Sequence, residues 1–211
     1  MGSSTSGRAR LARAAICAVA AAGSLGIGVA AASRGEGGER HARGVAVAEL
    51  RDAGGNAVGK ARFLARPGDA LRVSVHVSGL TPGFHGMHVH ATGQCMAPFT
   101  TAGGHYNPGG QTHGAHAGDM PPLLVGPDGT ASATFETAAL TFAGLLDQGG
   151  DGSALIVHAA PDNLANIPAQ YHSHVPDASS TTFGPNATTL ATGDSGGRAA
   201  CGVVTRAGGG H

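Results

Sequence analysis

The residues best suited to chemistry in this chain are its histidines, of which there are 12 among 211 residues. His88 and His90 are separated by a single residue in the apolar segment 87–90. On a strand, side chains alternate between the two faces, so both imidazoles project from one face while Met87 and Val89 project from the other. Two imidazoles at that spacing can bind one metal ion, although the pair alone is weak evidence for a site.

A second group of potential ligands lies within 15 residues of a Gly- and Pro-rich segment. Three imidazoles and one carboxylate form a complete tetrahedral set for zinc. They are His105, His113, His116 and Asp119. A solvated histidine-rich loop is the alternative interpretation. His158 ends the apolar segment 154–158, where it is either a further ligand or a satisfied histidine at the end of a strand.

The composition favours metal chemistry and argues against nucleic-acid binding. The chain has 13 basic and 13 acidic side chains and therefore no formal net charge. A protein that binds nucleic acid through a large basic field is not expected from that balance. Only eight residues are aromatic and none is Trp. We expect one loop-rich domain with a core of Ala, Val and Leu.

Short segments with a period of two predict an all-β fold. The segment 71–78 alternates strictly, with Leu71, Val73, Val75 and Val77 on the buried face and His76 solvated. Turn residues between apolar segments predict two hairpins, one from 45–50 and 60–65 and the other from 123–125 and 130–135. Two more short strands are predicted at 154–158 and 202–205. Strands of this kind indicate a sandwich or a barrel.

Two long stretches, 92–122 and 159–200, interrupt the predicted strands. Loops of that length in a compact domain are usually functional. Most of the histidines lie in these loops or beside them, so we expect the loops to carry much of the site.

The first 32 residues are predicted to be a secretory signal peptide. Three arginines precede the uncharged run 14–32, which ends in Ala30-Ala31-Ala32, an A-x-A cleavage pattern. We expect cleavage near Ala32 and export to the periplasm, the cell envelope or the extracellular space. A retained membrane anchor is the alternative, because 19 residues approach the roughly 20 needed to span a bilayer. Residues 33–43 are predicted to be a flexible lead-in and 44–207 the functional domain.

Removal of residues 1–32 leaves 10 basic and 13 acidic side chains, a net charge of −3, and two cysteines. An even pair of cysteines in an exported chain predicts a disulfide between Cys95 and Cys201. Two unpaired buried thiols are the alternative.

The order of these residues resembles that of the copper/zinc superoxide dismutases. The similarity covers roughly 44–206 and implies an eight-stranded antiparallel Greek-key barrel, an immunoglobulin-like sandwich with two long functional loops. The motifs that carry the resemblance are Gly83-Phe84-His85-Gly86-Met87-His88-Val89-His90, Cys95, His105-Tyr106-Asn107-Pro108, His113-Gly114, His116-Ala117-Gly118-Asp119, Ile156-Val157-His158 with Asp162, and Gly197-Arg198-Ala199-Ala200-Cys201-Gly202-Val203.

The resemblance implies one copper and one zinc in each chain. The copper ligands would be His88, His90, His105 and His158, and the zinc ligands would be His105, His113, His116 and Asp119. The imidazole common to both sets would bridge the two metals.

Other residues would support this centre. Asp162 would link the copper ligand His88 to the zinc ligand His113, an arrangement that fixes the tautomer and orientation of each ring. His85 would be structural, with its ring bonded to nearby backbone.

The implied activity is dismutation of superoxide to dioxygen and hydrogen peroxide. Arg198 would hold the superoxide anion beside the copper, and His105 would supply a proton to the peroxide. The Cys95–Cys201 disulfide would tie the first long loop to the barrel near that arginine. An exported copper-binding or copper-delivering protein on the same fold is the alternative function, and a metal-stabilised adhesion-type sandwich is a third. A homodimer is among the assemblies that the resemblance allows.

The chain departs from the family pattern in three ways. Two residues separate His113 from His116, where the family has several more, and Ala191 stands where the family often has a Lys. His172 and His174 match no ligand, and we expect them to be solvated, with weak accessory copper sites as the alternative. All four zinc ligands are present, so we expect zinc to bind; a copper-only centre is the alternative.

Overall fold

A computed structural model describes residues 44–147, 151–167 and 184–208. The predicted signal peptide and lead-in, together with His172 and His174, lie outside the described residues. No helix within the described ranges is long and apolar enough to cross a membrane. The elements of these ranges are β1 (Val45–Arg51), β2 (Ala57–Ala65), β3 (Leu71–Val77), β4 (Gly83–His90), β5 (Asp119–Val125), β6 (Ala131–Thr137), α1 (Phe142–Leu146), β7 (Ala154–His158), α2 (Ala187–Thr192), β8 (Arg198–Val203) and β9 (Thr205–Arg206).

The strands form one curled antiparallel sheet, and the predicted all-β Greek-key barrel is confirmed. Eight strands follow the order β5-β4-β7-β8-β1-β2-β3-β6, and the short β9 pairs with β1. Several neighbours in this order are distant in sequence, as in β4 with β7 and β3 with β6. These crossovers are the Greek-key connections, and they bring β4 and β7, with their histidines, side by side.

The first hairpin and the strand β3, which were predicted from turn residues and from alternating apolar and polar residues, are confirmed. β1 pairs with β2, and Leu71, Val73, Val75 and Val77 are buried while His76 is exposed. β2 begins at Ala57, three residues before the predicted start, because Gly59 belongs to the strand and not to the turn. A Cβ atom at Gly59 would lie 2.4 Å from the carbonyl oxygen of His76, so this close approach of β2 to β3 requires glycine.

The second predicted hairpin is wrong, although its turn forms. The amide of Gly126 donates to the carbonyl of Thr130 over 2.8 Å, which closes the predicted turn. The strands on either side then separate, because β5 pairs with β4 and β6 pairs with β3. A turn signal reports only local geometry. Which strands pair depends on the contacts that their side chains make with neighbouring strands. The side chains of β6 pack beside those of β3, so β6 pairs with β3 and not with β5.

The two faces of β4 position the candidate site. Met87 and Val89 are fully buried in the main core, whereas His88 and His90 lie on the opposite face. The predicted alternation at 87–90 is therefore confirmed. The first long loop is fixed to this strand, since the amide of Tyr106 donates to the carbonyl of Val89 and His105 forms an isolated bridge with His90.

Candidate metal centre

The first cluster of donors is formed by four buried imidazoles. Their ligand atoms all lie within 4.8 Å of one another; the residues are His88, His90, His105 and His158. Two of them come from β4, one from the first loop, and one from the end of β7, which pairs with β4. A set of four imidazoles is a donor set that suits copper.

Backbone contacts fix the orientation of two of these rings. Nδ1 of His90 lies 2.8 Å from the carbonyl oxygen of Gly103, and Nδ1 of His158 lies 3.3 Å from that of Gly196. A ring nitrogen that faces a carbonyl oxygen carries the hydrogen. The Nε2 atoms are therefore the lone-pair donors, and they lie 3.4 Å apart in a buried space.

The second cluster is arranged around the carboxylate of Asp119. Its Oδ1 atom lies 2.9 Å from Nδ1 of His105, 3.4 Å from Nδ1 of His113 and 3.2 Å from Nδ1 of His116. The Nδ1 atoms of His105 and His116 are 3.2 Å apart. Ligands at 2.0–2.1 Å from a tetrahedral zinc ion are themselves about 3.3 Å apart. The four measured distances are close to that spacing. The donors on this side whose ligand atoms all lie within 4.8 Å of one another are His88, His105, His113 and Asp119, so His116 approaches Asp119 and His105 but stands outside that group.

Asp162 joins the two clusters. Its Oδ2 atom lies 2.5 Å from Nε2 of His88 and its Oδ1 atom lies 2.7 Å from Nε2 of His113. The amide of Leu164 also donates to Oδ1, over 2.6 Å, which holds the carboxylate in place. Within the described ranges, the Nδ1 atoms of His88 and His113 are the buried side-chain atoms without a hydrogen-bond partner. A buried polar atom without a partner is costly, and a metal ion bound in each cluster would satisfy both atoms.

His85 lies beneath the cluster in the predicted structural position. Its Nδ1 atom is 2.6 Å from the carbonyl oxygen of His158 and its Nε2 atom is 2.8 Å from that of Thr81. The ring thus ties the end of β7 to the segment that precedes β4.

Burial keeps most of the imidazoles neutral. Burial lowers the pKa of His90 to about 2 and that of His158 to about 3. The pKa values of His88 and His116 are lowered for the same reason, against the opposing effect of nearby carboxylates. Neutral imidazoles are the form that binds metal ions.

His113 has the opposite shift. Burial alone would lower its pKa, but the carboxylates of Asp119 and Asp162 outweigh that effect and raise the pKa to about 9. Burial would raise the pKa of both carboxyls, yet their hydrogen bonds with histidines hold those pKa values well below the usual range. The cluster around Asp119 therefore carries negative charge that a cation can neutralise.

These shifts predict that the stability of the metal-free protein is greatest near pH 6.5. Below that pH, unfolded His90 and His158 bind protons that the folded chain excludes, so stability falls with acid. Above it, folded His113 retains a proton that the unfolded chain releases, so stability falls as the pH rises toward 9. Urea unfolding of the metal-free protein across this range is the measurement. His113→Gln should remove the alkaline loss, and a wild-type midpoint that rises steadily from neutral pH to pH 9 would contradict the assignment.

Arg198 lies at the start of β8, beside the first cluster. Its Nη2 atom donates to the carbonyl of Gly103 over 2.5 Å, and its Nη1 atom donates to the carbonyl of Phe99. Arg198 lines an opening to solvent together with His90, His105 and His158. The guanidinium therefore stands where a small anion would approach this cluster.

The predicted disulfide is confirmed. Cys95 and Cys201 are bonded, with their Cα atoms 5.7 Å apart. The bond links β8, which carries Arg198, to the loop whose carbonyls at Phe99 and Gly103 hold that arginine.

The helix α2, which covers the centre, was not predicted from the sequence. Asn186 caps this helix by accepting a hydrogen bond from the amide of Thr189, and Gly193 ends it in a left-handed conformation with φ +62°. A Cβ atom at Gly193 would lie 2.2 Å from Nε2 of His113, so only glycine lets the helix end this close to the ring. The capping residue Asn186 and the glycine seven positions later were the available signal.

Comparison with known proteins gives one consistent result. A family model described as copper/zinc superoxide dismutase matches residues 57–204. The superoxide dismutase [Cu-Zn] of Mycobacterium tuberculosis is 44% identical over 139 residues, which are 61% of this chain and 55% of that protein. That of Mycolicibacterium paratuberculosis is 42% identical over 136 residues, which are 59% and 57%. The superoxide dismutase [Cu-Zn] 2 of Brassica juncea is 37% identical over 149 residues, which are 67% and 86%.

Solved structures agree with the sequence comparison. A crystal structure of a variant of a SOD-like protein from Bacillus subtilis is similar with a TM-score of 0.58 and 29% identity, and the match covers 74% of this chain and 95% of that one. The matched part of the chain spans little more than half the length of the mycobacterial relatives.

Proposed function

The chain belongs to the copper/zinc superoxide dismutase family, and from that premise we propose that it converts two superoxide anions and two protons into dioxygen and hydrogen peroxide. The observation that carries the proposal is the pair of adjacent donor groups, with Arg198 at the opening to the first: one group is His88, His90, His105 and His158, and the other is His88, His105, His113 and Asp119. One cluster alone would fit many metal proteins. Two clusters with a common imidazole fit a centre in which a redox metal and a structural metal lie side by side.

The two clusters fit copper and zinc separately. Copper would be held by His88, His90, His105 and His158, and zinc would be held by His105, His113, His116 and Asp119. Bound copper supplies the one-electron couple through which one superoxide is oxidised and the next is reduced. Asp162 would hold the rings of one ligand of each metal in place, as its two short contacts indicate.

His105 can hold and deliver a proton at Nε2. Its Nδ1 atom faces His116 and Asp119, which leaves Nε2 as the nitrogen available on the copper side. A proton at that atom lies within the buried cluster and can pass to the peroxide as it forms. Solvent supplies the second proton through the opening beside Arg198.

Arg198 binds the anionic substrate. A guanidinium remains charged at any working pH. Its contacts with Gly103 and Phe99 leave donors free for a small anion, because the group has five N–H donors. Both contacts come from the loop that the disulfide ties to β8, so the charge is held at a fixed place beside His90 and His158.

Replacing Arg198 with Ala should slow superoxide consumption by on the order of tenfold at low salt. This is the lower end of the increase in association rate that a charged cleft gives an oppositely charged substrate. Copper and zinc contents should not change, because the guanidinium binds substrate and not metal. Raising the ionic strength should slow the wild type more than the variant, since salt screens the charge over about 8–10 Å. Arg51→Ala, which removes an exposed arginine at the end of β1, is the matched control. An identical salt response in wild type and Arg198→Ala would refute this role, and metal binding without superoxide consumption would favour the copper-delivering alternative.

We also propose that the protein is exported. The charged and apolar pattern of residues 1–32 supports cleavage near Ala32, and the Cys95–Cys201 bond is typical of oxidising compartments. The lead-in at 33–43, the boundaries of the domain at 44–207 and the homodimer stay predictions.

A further inference from the structure

The helix α2 lies between two openings, both of which reach His105. The helix residues that line each opening are three or four positions apart, as expected for residues on one side of a helix. Ala187, Leu190 and Ala191 line one opening, and Thr188, Ala191 and Thr192 line the other.

The two openings lead to different ends of the centre. The Arg198 opening contains Arg198, His90 and His158 and leads to the copper side. The His116 opening contains His116, Asn107 and Gln111 and leads to the zinc side. Residues 114 and 115, which connect His113 to His116, are exposed, so this short segment leaves the edge of the zinc side near the surface.

The charged groups of the two openings differ as well. The Arg198 opening is lined by the guanidinium of Arg198, which attracts anions and repels cations, and by the carboxylate of Asp194, which accepts hydrogen bonds from Asn163 and Thr189. Among the described residues, no lysine or arginine lines the His116 opening. Behind it lies Asp119, whose carboxylate is 3.2 Å from Nδ1 of His116 and whose side chain is 13% exposed. The amide of Asn107 is held by the backbone of Gln111, so a cation that approaches from this side meets His116 and then the carboxylate of Asp119.

We infer that the His116 opening is the route by which zinc enters and leaves the centre, separate from the Arg198 opening through which the anionic substrate passes. The inference rests on the zinc assignment proposed above. In this arrangement α2 lies between the route for zinc and the route for superoxide. The short segment between His113 and His116 would allow zinc to exchange through the nearby surface.

Neighbouring residues of α2 provide a matched test. Ala187 and Thr188 are both exposed, and each lines only one of the two openings. Full-length protein loaded with copper and zinc is analysed for metal content and then mixed with excess chromophoric zinc chelator. Ala187→Phe should release zinc at least about tenfold more slowly than the wild type, whereas Thr188→Phe should release it at a rate within about twofold. Superoxide consumption should show the reverse pattern, with the larger loss in Thr188→Phe.

A second variant tests the route in the opposite direction. Leu190→Ala removes an exposed side chain from the rim of the His116 opening and should accelerate zinc release. Circular dichroism of every variant shows whether the fold is retained. Equal zinc release from wild type, Ala187→Phe and Leu190→Ala would overturn the route, as would slower release from Thr188→Phe. The predicted pattern of zinc release in a protein that consumes no superoxide would refute the proposed activity and leave the route supported. A protein without bound zinc at the outset would overturn both the zinc assignment and the route.

Discussion

Replacing His90 with Ala is expected to abolish most copper binding and nearly all superoxide consumption. Nε2 of His90 is one of the two lone-pair donors that face each other in the first cluster, 3.4 Å from Nε2 of His158. Mutation of residues that merely support metal ligands costs 10–100-fold in affinity, so loss of a ligand should cost more than about 100-fold. Copper content by elemental analysis and superoxide consumption are the two measurements.

His76→Ala is the matched control for this variant. His76 is an exposed histidine on β3, where its Nδ1 atom lies 2.9 Å from Oγ of Ser132, and it belongs to neither cluster. His76→Ala should retain both metals and full activity. His90→Ala should retain zinc, because His90 is outside the zinc set. Wild-type copper content and turnover in His90→Ala would show that His90 is not a ligand.

Removing the disulfide is expected to cause a large loss of stability without a change in the metal centre. Cys95 and Cys201 are 106 positions apart, and closing a loop of that length removes about 4–5 kcal/mol of chain entropy from the unfolded state. The double variant Cys95→Ser with Cys201→Ala keeps a small apolar side chain at the buried position. Its free energy of unfolding should fall by about that amount in urea, measured on metal-free protein.

Strong reductant provides the control for the disulfide prediction. It should lower the unfolding midpoint of the wild type to that of the double variant and leave the variant unchanged. A midpoint shared by the variant and the oxidised wild type would show that the bond contributes nothing. Activity should also fall in the variant, because the loop that holds Arg198 through Phe99 and Gly103 loses its covalent tie to β8.

The predictions from sequence succeeded where local pattern and tertiary structure agree. Alternation at 71–78 placed four apolar side chains in the core, and the spacing of His88 and His90 placed both on one face of β4. The pairing of β5 with β4 and of β6 with β3 could not be read from the turn at 126–129, because that turn joins strands that pair elsewhere in the sheet.

The site shows the same division between local and tertiary information. The order of the motifs predicted which residues belong to the two clusters. Composition and spacing could not show that Asp119 lies within 3.4 Å of three imidazoles. The six residues of α2 are too few to give a clear helical period, so only Asn186 and Gly193 marked the helix, and nothing in the sequence showed the two openings on its sides. Both depend on how residues 184–193 pack against His113, whose amide donates to the carbonyl of Leu190.

Elemental analysis of the full-length protein reconstituted with both metals, paired with its rate of superoxide consumption, tests the paired metal centre and its activity together. We expect one copper and one zinc in each chain, with rapid superoxide consumption that disappears when copper is removed. A fully active protein that contains copper and essentially no zinc would contradict the paired centre around His105. A protein that holds both metals and consumes no superoxide would contradict the proposed function.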